Sequence, residues 1–466
     1  GPTMNRHLNA PPLMVTETRG STPFRLDLHV DDVGHTLVVG PTGSGKSVLL
    51  SLLALQFRRF IGAQVIMFDR GRSARASTLA MNGASVELGL EGSLSLQPLS
   101  RIDEPGEIAF ALQWVTALLT AEGVRVTPDV KDAVWTALQS LASAPKVERT
   151  LTGLAVLIQS APLVAALSPY ALEGAYGRLL DGASEQIAAA DVLHIELEAL
   201  MGHKALIPPV LTYLFHRLEE RFDGRPTLLV LDEAWTFLDD ALFAARIREW
   251  LKTLRKKNVS VVFATQSLAD VERSTIAPAL IESCPTRIFL PNDRAREPQA
   301  RAVYERFGLN ERQIEILSVA APKRDYYAQT ARGNRLFELG LGPVALTLCG
   351  ASSPDDQKLV DHCVQEDPAS GFTTRFLTAK GLTWAADLIQ QWQPPATPPP
   401  LQASVAARNT TPSVRPPAEA ANADDHELAA LAIGKTPLPG LPGGPPIAER
   451  LSPFRAVPSK SRRNNR

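Results

Sequence analysis

Short apolar runs alternate with longer helical patterns along most of this chain. Continuous apolar runs of four to seven residues are typical of strands buried on both faces, and helices between such strands predict a parallel sheet covered on both sides. The predicted strands are residues 36–39, 65–68, 191–197, 228–231, 261–264 and 287–290. The pattern therefore indicates an α/β fold with a mainly parallel sheet.

Residues 104–190, between the second and third predicted strands, show helical periodicity and no strand pattern. Two sets of apolar residues each fall on one helical face. The sets are Ile108, Leu112, Val115 and Leu119, and then Val130, Val134, Leu138 and Leu141. We predict an all-helical insertion in the core.

The clearest domain boundary lies at residue 394, where the last 73 residues of the chain begin. Residues 394–466 hold 15 of the 37 prolines and one aromatic residue, Phe454, a composition that predicts disorder. The basic stretch 450–466 is read either as a solvated tail or as a docking arm for an acidic partner, a membrane surface or nucleic acid. We interpret Gly1-Pro2 as the remnant of a cleaved tag. The predicted boundaries are 1–21 for a lead-in, 22–103 and 191–393 for the two parts of the core, 104–190 for the insertion and 394–466 for the tail.

Composition narrows the functional classes. Lys and Arg (48) nearly balance Asp and Glu (49), so no global basic field is available to hold nucleic acid, and any such contact would be local. The three cysteines form no CxxC pair, which fits a reducing compartment and argues against a structural zinc site. No run of about 18 apolar residues is present, so no transmembrane helix is predicted.

A phosphate-binding motif follows the first predicted strand and precedes an apolar helix. The pattern GxxxxGK[ST] is formed by Gly40, Pro41, Thr42, Gly43, Ser44, Gly45, Lys46 and Ser47. Its glycines let backbone N–H groups surround phosphates, and the helix directs its positive end at them. Lys46 is predicted to hold the β- and γ-phosphates and Ser47 to ligate Mg²⁺. A plain glycine turn is the alternative.

An acidic pair, Asp232-Glu233, ends the predicted strand 228–231. The carboxyl ends of parallel strands meet at the edge of the sheet where ligands bind. Asp232 is predicted to hold Mg²⁺ through its water shell, and Glu233 to orient and deprotonate an attacking water. The alternative is a pair of carboxylates that only complements a helix dipole.

Four further polar residues are candidates. Gln266 follows the strand 261–264 and is predicted to sense the γ-phosphate or to hold the attacking water, or else it is a satisfied loop amide. Arg255 lies in a basic cluster before that strand, either as an arginine finger for a neighbouring subunit or as a cation that complements a helix terminus. Asp69 and Arg72 are predicted to line the nucleotide or a subunit interface, and otherwise to form a capped, charged turn.

With these residues in place, the chain resembles the C-terminal motor half of the conjugative-transfer and type IV secretion ATPases of the TrbE/CagE/VirB family, and most closely the TrbE branch. The resemblance covers about residues 22–350 and leaves the Pro-rich tail unmatched. The matching stretches are residues 32–36, 68–73, 231–235, 250–258, 264–267, 288–292 and 335–343, together with the phosphate loop.

The resemblance implies a RecA-like P-loop NTPase core that uses ATP and Mg²⁺ and works as a ring, with a hexamer expected. It implies partners among the inner-membrane subunits of the apparatus and a peripheral position at the cytoplasmic face of the bacterial inner membrane. It also implies that Lys46, Glu233, Gln266 and Arg255 serve catalysis. Two alternatives stay open: a DNA translocase or coupling ATPase of the same machinery, and a nucleotide-binding assembly subunit with little turnover.

Overall fold

The computed structural model describes residues 3–90, 94–185, 189–233, 241–365 and 371–392. Within these residues eleven strands form one sheet. They are β1 (Met14–Glu17), β2 (Pro23–Leu26), β3 (Thr36–Val39), β4 (Gln64–Asp69), β5 (Ala84–Glu87), β6 (Val192–Glu196), β7 (Thr227–Asp232), β8 (Val259–Thr265), β9 (Thr286–Phe289), β10 (Asp325–Thr330) and β11 (Gly333–Glu338).

The sheet combines a parallel part with an antiparallel extension. The strand order is β2-β1-β11-β10-β9-β3-β8-β7-β4-β6-β5. The seven strands from β9 to β5 pair in parallel. The strands β10, β11, β1 and β2 continue the sheet with antiparallel pairings. The mainly parallel α/β sheet predicted from the apolar runs is therefore confirmed, and each of the six predicted strands is present.

Helices cover both faces of the sheet and join its strands. They are α1 (Lys46–Phe57), α2 (Arg75–Ala80), α3 (Glu107–Ala121), α4 (Pro128–Ala142), α5 (Leu151–Leu157), α6 (Ala161–Leu167), α7 (Gly177–Leu180), α8 (Glu198–Met201), α9 (Ile207–Glu219), α10 (Ala241–Thr253), α11 (Leu268–Arg273), α12 (Ala277–Ser283), α13 (Pro298–Arg306), α14 (Glu311–Val319), α15 (Pro343–Cys349), α16 (Pro354–Gln365), α17 (Phe372–Ala379) and α18 (Thr383–Trp392). No helix in the described ranges is both long and apolar enough to cross a membrane.

The insertion helices α3–α7 share a hydrophobic core with one face of the sheet. Trp114 of α3 is buried, and its indole N–H donates to the carbonyl oxygen of Pro209 in α9 at 2.9 Å. The same cluster includes Phe215 of α9 and Trp250 of α10, whose rings meet edge to face at 4.5 Å. The helices between β5 and β6 are therefore anchored to the helices that flank β7.

The opposite face of the sheet packs on α1. This second cluster joins Leu49 and Leu53 of α1 to Val38 of β3 and Val230 of β7. Because α1 begins at Lys46, this packing fixes the start of the helix against the strands that end at the candidate site.

The helices α15–α18 form a third, smaller cluster that includes Ala76 of α2 and Phe376 of α17. Within the predicted lead-in 1–21, β1 pairs with β2 and β11, so these residues contribute a strand that periodicity did not indicate. The predicted disordered tail, residues 394–466, lies outside the described residues.

Candidate active site

The phosphate-binding motif lies where β3 passes into α1. Gly43 (φ 79°) and Gly45 (φ 103°) adopt left-handed backbone that side chains resist. A Cβ built on Gly43 would meet no atom within 4 Å, so the loop borders open space. Gly45 caps α1 without a side-chain acceptor among the described residues, which leaves the first-turn N–H groups available to an anion. The cradle therefore fits a phosphate chain.

Lys46 lies between the two carboxylates of the acidic pair. Its Nζ is 2.7 Å from Asp232 Oδ1 and also contacts Glu233 Oε1. The side chains of Lys46 and Asp232 are each 8% exposed. Burial raises the pKa of Asp232 to about 6, and the Lys46 ammonium partly offsets that rise. A carboxylate that has lost its hydration in this way favours a nearby cation.

The acidic pair is delivered by β7, which pairs in parallel with β8 so that Asp232 lies opposite Ala264. Glu233 follows in left-handed backbone (φ 55°), and its N–H donates to the Ala264 carbonyl at 3.1 Å. Left-handed backbone is uncommon for residues other than glycine and costs energy. The strand end therefore turns sharply at Glu233 and directs its carboxylate to Lys46.

The donor set also fits a hard divalent cation. The Ser47 hydroxyl, in the first turn of α1, has no hydrogen-bond partner within the ranges that the structure describes. Hydroxyl and carboxylate oxygens are the ligands that Mg²⁺ prefers beside nucleotide phosphates. Ser47 and Asp232 would hold such an ion.

Gln266 lies beside the phosphate loop. It directly follows β8, and its Oε1 accepts a hydrogen bond from the Thr42 hydroxyl. The Gly40 N–H donates to the Thr265 carbonyl at 3.0 Å, which ties the end of β8 to the start of the loop. The position is the one that a γ-phosphate sensor requires, and this role stays a prediction.

Asp69 is buried in the turn that follows β4. Its carboxylate accepts hydrogen bonds from the N–H groups of Arg70 and Ala74, both at 2.8 Å, and from the Ser73 hydroxyl at 2.9 Å. Arg72 instead pairs through Nε with Glu87 at 2.5 Å. The geometry therefore favours the capped, charged turn over a direct nucleotide contact for Asp69.

Arg255 lies at the other end of the sheet. It belongs to a 3₁₀ turn, Leu254–Lys257, that precedes β8, whereas Gln266 follows β8. The seven residues of β8 span about 20 Å, too far for Arg255 to reach the phosphate loop of its own chain. Its guanidinium lies 3.8 Å from Asp32. The length of β8 therefore excludes a direct role for Arg255 in the phosphate site of its own chain.

No sequence pattern indicated the turn that contacts the phosphate loop on the side opposite to Gln266. The N–H of Lys323 donates to the Ser44 carbonyl at 2.9 Å, and the Tyr326 hydroxyl donates to the Gly45 carbonyl at 3.3 Å. These residues are about 280 positions apart in the chain and belong to no motif, so only the pairing of β10 with β9 brings them to the site.

Removal of Lys46 is expected to destabilise the protein as well as its site. Lys46→Ala leaves two carboxylates facing each other with Asp232 buried, and we expect a loss of about 3 kcal/mol in the free energy of unfolding at pH 8. The Lys46 ammonium lowers the pKa of Asp232, which is about 6 in the wild type, so in the variant Asp232 should take up its proton at a higher pH and the repulsion should be relieved there; the loss should therefore be smaller at pH 5 than at pH 8. Urea denaturation without nucleotide, carried out at pH 8 and at pH 5, measures the loss and its dependence on pH.

The control is the double variant Lys46→Ala/Asp232→Asn, which removes one of the two charges and should recover most of the loss at pH 8. A loss that is the same at pH 8 and pH 5 would contradict the electrostatic account.

Comparison with known proteins shows that most of the chain is similar to conjugal transfer proteins. A family model for the TraG P-loop domain matches residues 158–331. The chain is 46% identical over 389 residues to "Conjugal transfer protein TrbE" of Rhizobium radiobacter, covering 82% of this chain and 47% of the relative. It is 49% identical over 388 residues to a probable conjugal transfer protein TrbE of Sinorhizobium fredii, covering 82% of this chain and 58% of that relative. The chain thus spans about half the length of the curated relatives it matches.

Among solved structures, VirB4 of Thermoanaerobacter pseudethanolicus superposes with a TM-score of 0.57 at 19% identity. The match covers 71% of this chain and 97% of that one. At this level of identity the likeness concerns the fold, and it agrees with a P-loop core built on a mostly parallel sheet.

Proposed function

Because this chain belongs to the TrbE/CagE/VirB family of conjugative-transfer and type IV secretion proteins, we propose that it is a Mg²⁺-dependent ATPase that energises such an apparatus. One observation carries the proposal. A phosphate cradle, its lysine and two strand-end carboxylates meet at a single point, with Lys46 Nζ in contact with both Asp232 and Glu233. This combination binds a triphosphate and also places a base beside it.

Each residue has a distinct part in the proposed reaction. The amides of the phosphate loop and the Lys46 ammonium bind the β- and γ-phosphates, while Ser47 and Asp232 hold Mg²⁺, which supplies charge neutralisation on the phosphate oxygens. The Glu233 carboxylate accepts a proton from the attacking water. The Gln266 amide, beside Thr42, positions that water or reads the γ-phosphate.

Nucleotide binding requires Lys46 to change partners. In the structure its ammonium is shared between Asp232 and Glu233. A bound γ-phosphate would take over this cation, and release of Glu233 from Lys46 would leave its carboxylate available to water. The base is therefore freed by the arrival of the substrate.

We propose further that the active unit is a ring, with a hexamer expected. Arg255 cannot reach its own phosphate loop, yet it is 44% exposed at the amino edge of the sheet, where a neighbouring subunit could receive it. An arginine that neutralises transition-state charge in a neighbour completes the site only upon assembly.

The position and partners proposed for the chain come from the family. We place it at the cytoplasmic face of the bacterial inner membrane, held there by other subunits of the conjugation or secretion complex. The relatives are named as conjugal transfer proteins, which supports the link to a conjugation apparatus.

The experiment that tests the function is the rate of ATP hydrolysis against protein concentration, with Mg²⁺ and without DNA. We expect specific activity to rise with concentration, because each site is completed by a neighbour, and to vanish when EDTA removes the cation. Measurable activity that does not change with concentration would overturn the ring proposal. Activity that depends on added DNA would favour a translocase instead. Absence of ATP hydrolysis under all of these conditions would favour an assembly subunit.

A further inference from the structure

The turn formed by residues 321–325, here called the brace turn, packs directly on the phosphate loop. The N–H of Lys323 donates to Ser44, and Tyr326, which follows the turn, donates to Gly45. A Cβ on Gly45 would approach the Tyr326 hydroxyl to 2.7 Å and the Lys323 Cα to 3.1 Å. The backbone of Lys323 therefore touches the residues that would surround the phosphates.

The brace turn is held in place by its own hydrogen bonds. The buried Asp325 carboxylate accepts from the Ala321 N–H at 2.8 Å and from Arg19 Nη2 at 2.5 Å. The N–H of Asp325 donates to the Ala321 carbonyl at 2.9 Å. Lys323 has left-handed backbone (φ 65°), so its position depends on these contacts.

Lys323 differs from the other cations of this region. Arg324 pairs with Glu338 at 2.7 Å, and Arg19 pairs with Asp325. The exposed Lys323 side chain forms no ion pair with any residue in the described ranges. Its flexible four-carbon stem is therefore available to a ligand in the adjacent loop.

The charge of the site favours such a ligand contact. Lys46 supplies one positive charge against the two negative charges of Asp232 and Glu233. A nucleoside triphosphate with one Mg²⁺ adds about two more negative charges, so the loaded site lacks cations. A lysine on the neighbouring turn reduces that imbalance.

We propose that Lys323 binds the α- and β-phosphates of a nucleotide held in the phosphate loop of the same chain. Its backbone lies against Ser44 and Gly45, on the opposite side of the loop from Gln266, which contacts Thr42. Lys323 accordingly strengthens the binding of the diphosphate as much as that of the triphosphate. The inference rests on the proposed nucleotide binding.

The test compares the dissociation constants of ADP for wild-type protein and for Lys323→Ala, Lys323→Asn and Lys323→Arg. We expect ADP to bind about tenfold more weakly to the Ala and Asn variants and near wild-type strength to the Arg variant. Asn tolerates left-handed backbone, so agreement between Asn and Ala separates lost charge from a strained turn. Lys358→Ala, which removes an exposed lysine of α16, is the matched control and should bind as wild type.

The dependence of ADP binding on ionic strength provides a second test. The ADP affinity of the neutral variants should depend less steeply on ionic strength than that of the wild type, because one charged contact is missing. Neutral variants that bind ADP within about twofold of wild type would overturn the assignment of Lys323 alone. A wild-type chain that binds no ADP would overturn the proposed function together with it.

Discussion

Replacement of Glu233 by Gln is expected to reduce ATP turnover by about a thousandfold while nucleotide binding is retained. The amide has the size of the carboxylate but cannot take a proton from water. Glu233 contacts the Lys46 ammonium that a bound phosphate would also need, so Glu233→Gln should bind ATP at least as tightly as the wild type. Single-turnover hydrolysis and the dissociation constant of ATP, measured on the same preparation, separate the two effects.

A matched control is available for this variant. Glu198→Gln removes a carboxylate, 55% exposed, that pairs with Arg70 near the same edge of the sheet, and it should hydrolyse ATP as the wild type does. Normal turnover by Glu233→Gln would mean that water is activated by another group.

Replacement of Arg255 by Ala is expected to lower turnover by about a thousandfold, an effect of the size that arginine fingers produce. Because Arg255 and the phosphate loop lie at opposite ends of β8, the loss should be repaired by a neighbour. Mixing Arg255→Ala with Lys46→Ala in equal amounts should restore about a quarter of wild-type activity. Half of the interfaces offer an intact phosphate loop, and half of those face an intact arginine.

The measurement is steady-state hydrolysis at several mixing ratios, with Lys256→Ala in place of Arg255→Ala as the control for the basic cluster. Absence of activity at every ratio would assign Arg255 a structural role, in which its guanidinium holds Asp32.

The parallel half of the fold could be predicted because its strands are buried on both faces. In β4, β7 and β8 every residue is buried, so the apolar run is continuous and its ends are sharp. The antiparallel strands lack that signal. The strand β11 is exposed along its first half, and its polar residues resemble a loop until β10 is known to pair with it.

In the candidate site, too, some residues were predictable from local sequence patterns and others were not. Lys46, Asp232 and Glu233 were predictable because each belongs to a local pattern whose chemistry demands those residue types, and the structure brings them into contact. The capped turn at Asp69 was one of two alternatives that the sequence left open, whereas the contact of Asp69 with His194 and that of Lys323 with Ser44 were not predictable. They depend on strand order and on side-chain hydrogen bonds between segments that no spacing rule relates.

The place of β3 between β8 and β9 has a consequence for biosynthesis. Val39 lies opposite Thr265 on one side and Phe289 on the other, so the strand that carries the phosphate loop lacks at least one of its two neighbours until roughly 250 further residues have been made. At about 5–20 residues per second, this interval lasts roughly 12–50 s on the ribosome. Throughout that time the apolar strand β3 is a target for chaperones, and the nascent chain cannot yet bind the nucleotide that would stabilise it.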